Sequence, residues 1–236
     1  MDPSTYDIYL ANGNITVFLG DQGKEFKKDI LNSSLLGELV STSKTPNSRE
    51  QLFSDYVTTV SKLGWVEKSR AFRHSDFSNI SLLETVEAGI GTSLTKEAKQ
   101  ALLNAFLQLK KTPTQSPVLQ HILDKLQVNA FTPSIDTGDV PSTKKPVATS
   151  IRLTIVCKNA SIITLQVAFK TKAGISIDIL DQPVLNSIKD GKSNMWLLVS
   201  TLDAREYDKV RATVLKKIGN RIHTDLLHVP VPTRLG

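Results

Sequence analysis

The sequence predicts an α+β fold: an N-terminal β-hairpin, a central layer of three to four helices, and a C-terminal antiparallel β-sheet that packs like a sandwich. Three observations predict it. Asn12-Gly13 separates two short runs of alternating apolar residues, residues 46–126 carry apolar side chains at helical spacing behind recognisable caps, and beyond residue 150 the period falls to two.

In the first run Ile8 and Leu10 alternate, and in the second Ile15, Val17 and Leu19 do. Asn-Gly accepts the positive φ values of a tight primed turn, so the two runs form a hairpin. Phe26, Ile30, Leu31, Leu35 and Leu39 then follow one face of a short helix. Asn47 with Glu50 resembles a capping box, and Leu52, Phe53, Tyr56, Val57, Val60 and Leu63 form the stripe behind it, ended by Gly64. Ile80, Leu82, Leu83, Val86 and Ile90 suggest another helix before Gly91. Thr95 caps a helix whose inner face is Ala98, Ala101, Leu102, Ala105, Phe106 and Leu109. Ser116 precedes Pro117 at a first helical position, where the missing N–H costs nothing, and Leu119, Ile122, Leu123 and Leu126 follow.

Residues 132–150, with Pro133, Pro141 and Pro146 among small polar side chains, read as a linker or long loop between a region 1–131 and a β region 151–236. The β region alternates at Ile151/Leu153/Ile155/Cys157, Ile163/Leu165/Val167/Phe169 and Ile175/Ile177/Ile179, with 195–200 a buried fourth strand. Residues 208–222 admit two readings. Val210, Ala212 and Val214 against Ile222, Thr224 and Leu226 around Gly219-Asn220 make a hairpin, whereas Tyr207, Val210, Val214 and Ile218 make a helix. The β-branched residues and the Gly-Asn turn favour the hairpin. The N-terminal hairpin needs a partner, and joining the C-terminal sheet would supply one.

Composition limits the functional classes. With 236 residues, 40% hydrophobic and 22% charged, the chain is neither disordered nor fibrous. Its apolar runs reach about five residues, against roughly twenty for a membrane span. The first seven residues lack the basic and apolar segments of a secretory leader, so a cytoplasmic location, or export without such a leader, is expected. A single cysteine excludes an internal disulfide and a multi-cysteine zinc site.

Candidate chemistry fails part by part. Gly20-Asp21-Gln22-Gly23-Lys24 sits where a phosphate loop would, but lacks its first glycine and its Ser/Thr, and Asp21 repels phosphate. His74, His121, His223 and His228 show no metal-ligand spacing. His223 and Asp225 share a strand face in the hairpin reading, without an assignable nucleophile. Asp178 and Asp181 fall on opposite faces, and Cys157 reads as a buried, inert thiol. No catalytic residue, metal or cofactor is therefore expected.

Charge remains. The chain carries a net charge of +6, and residues 151–236, with 13 basic and 7 acidic side chains, hold the whole surplus. Its densest part is Arg205, Lys209, Arg211, Lys216, Lys217 and Arg221, a stripe able to meet an anionic surface. The expectation is a non-catalytic binding or self-assembly protein acting through protein or anionic-surface contacts. Its alternatives are a leaderless toxin or membrane-active protein that inserts or oligomerises, and a nucleic-acid binder using the basic stripe. A protein partner or self-association is expected, with anionic lipid or nucleic acid as further candidates and no small-molecule cofactor.

Overall fold

Asn12 and Gly13 both adopt positive φ, 49° and 96°, and join strands β1 (Tyr6–Ala11) and β2 (Asn14–Leu19) as the expected antiparallel hairpin. The computed structural model describes residues 6–43, 48–76, 90, 94–113, 115–128, 147–171 and 192–230. Helix α1 (Lys24–Thr42) follows β2, and α2 (Arg49–Ser61) is capped by Ser48, whose hydroxyl accepts from the Gln51 amide at 3.1 Å. That cap is one residue beyond the expected Asn47, which lies outside the described residues.

Strand β3 (Trp65–Asp76) was not foreseen. Helices α3 (Lys96–Lys111) and α4 (Pro117–Val128) begin at the expected Thr95 and Ser116 caps, whose hydroxyls accept from the Ala98 and Leu119 amides. Strands β4 (Val147–Val156), β5 (Ser161–Thr171) and β6 (Lys192–Leu202) match three of the expected strands. The Ile175/Ile177/Ile179 strand, most of the 80–90 helix, Asp178, Asp181 and linker residues 132–146 lie outside the described residues.

The closing segment departs from the favoured reading. Residues 208–222 form no hairpin: helix α5 (Ala204–Ile218) runs from an Asp203 cap, then come a short helix α6 (Arg221–Asp225) and strand β7 (Leu226–Val229). Helix wins because Tyr207, Val214 and Ile218, spaced for one helical face, are buried with Leu35 and Leu36 of α1.

Among the described residues the strands form one seven-stranded mixed sheet in the order β3-β6-β5-β4-β2-β1-β7. It is antiparallel except where β2 pairs in parallel with β4, Asn14 to Arg152 through Phe18 to Val156. The N-terminal hairpin thus joins the C-terminal strands, and the expected purely antiparallel, sandwich-like sheet is replaced by one sheet with helices on both faces. On one face Leu10, Val17, Leu153, Leu165 and Leu197 meet α3 and α4. On the other Phe18, Val156, Ile162 and Leu198 meet α1 and α2. Doubly covered strands read as continuous apolar runs, which accounts for β2 being buried at every position.

Candidate binding cavity and basic face

Because β2 and β4 run in parallel, both end on the same side of the sheet, and a cavity of about 480 Å³ opens there. In open sheets carrying helices on both faces, the space beyond the carboxyl ends of parallel strands is where loops diverge and ligands are held. Leu19, Ile163 and Val199 of the sheet and Leu94, Ala98 and Ala101 at the start of α3 give it apolar walls. Polar groups sit at its edge: Thr95 and Glu97 from the start of α3, and Lys158, Asn159 and Ser161 from the β4–β5 turn.

That turn is held firmly. The Cys157 amide donates to the Ser161 carbonyl at 2.8 Å, the Ala160 amide to the Cys157 carbonyl at 2.9 Å, and the Ser161 amide to Asn159 Oδ1 at 3.1 Å. Gln22 Nε2 donates to the Cys157 carbonyl at 2.9 Å and to the Leu19 carbonyl at 3.4 Å, tying the two strand ends together. The Lys158 stem lies across Gly20, where a Cβ would come within 2.6 Å of Lys158 Cγ. The Glu97 carboxyl is held below its ordinary range by hydrogen bonds from its own amide and the Thr95 hydroxyl, with Lys158 adding its charge. Cys157 lines the cavity, and burial pushes its thiol up to about 11. It is therefore a neutral thiol at physiological pH, a weak nucleophile, and no histidine is among the described residues lining the cavity.

The basic stripe lies on a helix. Arg205, Lys209 and Lys216, at i, i+4 and i+11, share an exposed face of α5. Lys216 and Lys217 occupy its last turn, where cations oppose the helix dipole. Lys209 pairs with Glu206 at 2.6 Å. Arg211 forks onto Asp29 of α1, Nε to Oδ1 at 3.0 Å and Nη2 to Oδ2 at 2.8 Å, and also pairs with Asp208; the Asp29 hydrogen bonds raise its already high pKa. Arg221 donates to Asp225 at 2.6 Å. The Asp225 carboxylate is thereby held by Arg221 and Thr224, and His223 and Asp225 lie on α6 rather than sharing a strand face.

A second polar feature, invisible as a motif, lies between the sheet and α1/α2. Asn14 Nδ2 donates to Thr154 Oγ1 at 3.0 Å and Ser34 Oγ at 3.3 Å, and Ser34 shares a hydrogen bond of 2.8 Å with the Tyr56 hydroxyl. Arg152 crosses this layer 4.2 Å above the Tyr56 ring, bonding Glu38 and Gln166 at 2.6 Å each. Burial, reinforced by the Glu38 charge, pushes the Tyr56 hydroxyl up to about 12. Polar residues alternating along β2, β4 and β5 read as a solvated face. The available signal is the Asn32-Ser33-Ser34 run set between the apolar pairs Ile30-Leu31 and Leu35-Leu36 of α1, which marks polar groups to be met within the fold.

Among the described residues no helix is long and apolar enough to cross a membrane, and no three His, Cys, Asp or Glu side chains converge to hold a metal ion. Comparison with protein families and with curated proteins finds no match to the chain.

Proposed function

We propose that this is a non-catalytic binding protein whose cavity at the carboxyl ends of β2 and β4 takes an uncharged or weakly polar small molecule, its apolar body inside and its polar end at the mouth. The observation that carries the reading is the cavity itself. At about 480 Å³ it falls within the range of small-molecule sites, roughly 300–1,000 Å³. Its apolar walls supply affinity through buried area, and the polar groups at its edge supply orientation. Lys158 and Glu97 bring opposite charges to that edge, which favours a ligand without net charge. A neutral Cys157 supports binding over nucleophilic chemistry. Lys209, Arg211 and Arg221 each engage a carboxylate of this chain, so the cavity has more to offer a ligand than the basic face does.

A fluorescence titration with 1-aminoanthracene, a neutral three-ring amine, tests this. The expected result is a saturable, single-site increase that Ala98→Trp lowers at least tenfold in affinity, because the half-buried Ala98 faces the cavity and an indole would fill it. A linear, unsaturated response, or one unchanged in a folded Ala98→Trp variant, would contradict it.

A further inference from the structure

Two charged side chains line the mouth of the apolar cavity, one from each wall. Glu97 comes from the first turn of α3 and Lys158 from the β4–β5 turn, and both are exposed. The Glu97 carboxyl accepts from its own amide and from the Thr95 hydroxyl, and with the Lys158 charge these hold it below its ordinary range. At neutral pH it is therefore ionised and only accepts hydrogen bonds, with two of its roughly four lone-pair sites still open. Lys158, an ammonium, only donates. No ion pair among the described residues engages either side chain. Beside Lys158, Asn159 uses its Oδ1 to accept from the Ser161 amide at 3.1 Å, which leaves its Nδ2 as a second donor.

Donors on the turn side and an acceptor on the helix side sort the polar ends that the mouth can accept. A carboxylate satisfies Lys158 and is repelled by Glu97, and an alkylammonium does the reverse. A primary carboxamide meets both walls without carrying charge: its carbonyl accepts from Lys158 and Asn159 while its NH2 donates to Glu97. Behind that head, a cavity of about 480 Å³ holds roughly sixteen water-sized atoms at about 30 Å³ each. That is room for a medium-length alkyl chain or for two to three fused rings against Leu19, Ala98, Ile163 and Val199.

We propose that the cavity selects a primary carboxamide with an apolar body, its carbonyl on Lys158 and Asn159 and its NH2 on Glu97. The assignment rests on the small-molecule reading of the same cavity and names the class of ligand. Displacement of 1-aminoanthracene by octanamide, octanoate and octylamine, at about pH 7.5 and constant ionic strength, tests it, because the three compounds share an alkyl chain and differ in the head group. Octanamide is expected to displace the probe with an affinity at least about tenfold above that of either ion. Glu97→Gln should strengthen octanoate about tenfold and leave octylamine no better. Lys158→Met, which keeps an unbranched stem over Gly20 and removes the charge, should strengthen octylamine about tenfold and leave octanoate no better. Equal displacement by all three compounds, or a rank order unchanged in both folded variants, would overturn the carboxamide assignment while probe binding stands. A parent protein that does not bind the probe would remove the cavity as a binding site, and the ligand class with it.

Discussion

Asp225 shows how a single carboxylate joins distant parts of the chain. Its backbone carbonyl accepts from the Asn12 amide at 2.9 Å, fixing the β1–β2 turn, while its side chain accepts from Arg221 and Thr224. Burial works to raise this carboxyl, but hydrogen bonds from Arg221 and Thr224, with the Arg221 and Lys125 charges, bring it below its ordinary value. The unfolded chain then binds the proton at higher pH than the folded one. The stabilisation is therefore complete above the unfolded pKa and is lost as pH falls through the lower, folded one. Urea midpoints measured from about pH 5 to pH 2 should fall less steeply in Asp225→Asn than in the parent, and parallel slopes would show that Asp225 is not depressed. The sequence places His223 and Asp225 together on a strand face. The actual partner of Asp225, Arg221, is four residues back, one helical turn, and becomes visible only once the segment is known to be helical.

Helix α1 is the element on which the α1/α2/α5 side is assembled, being buried from Asp29 to Glu38 between the sheet, α2 and α5. Gly37 permits the approach of α2: a Cβ there would stand 2.8 Å from Tyr56 Cε2 and 3.0 Å from Val60 Cγ1. The Tyr56 ring has no freedom to retreat, pinned by Ser34 and covered by Arg152. Gly37→Ala should therefore destabilise the protein by about 1–3 kcal/mol, although alanine is the better helix former by about 1 kcal/mol. Chemical denaturation measures this, and a variant as stable as its parent would show that the two helices have room to spare.

Helices with both a cap and an apolar stripe, α2, α3 and α4, were legible because each signal is local. Helix α5 was misread because its Val210, Thr213 and Val214 and the following Gly219-Asn220 imitate a hairpin. β-propensity differences span only about 1 kcal/mol, and burial of Tyr207, Val214 and Ile218 against α1 outweighs them. Strand β3 escaped notice because Glu67, Lys68, Arg70 and Arg73 break the alternation. Among the described strands it lies at the end of the sheet, where charges and the register shift between Glu67 and Ser69 discourage pairing with other chains.

At the scale of the molecule, the decisive feature is the parallel pairing of β2 with β4, which brings together strands more than a hundred residues apart. Both were recognised as strands, but their direction relative to one another has no local signature. The continuous apolar run Val17-Phe18-Leu19 was the only hint that β2 is covered on both faces. The cavity at the carboxyl ends of the pair follows from that pairing, and its lining residues come from distant segments, which is why it was not legible. The basic stripe was legible as composition, while the carboxylates that face Lys209, Arg211 and Arg221 were not.

Cys157 offers the most direct test of the binding cavity, because it lines that cavity and is the only cysteine in the chain. Alkylation by iodoacetamide at about pH 8 should be slow, since burial keeps the thiol protonated. Adding 1-aminoanthracene should slow it further, saturably, with the midpoint found by fluorescence. An alkylation rate that stays constant while the probe saturates would place the probe elsewhere and contradict the assignment of the cavity between β2, β4 and α3 as the binding site.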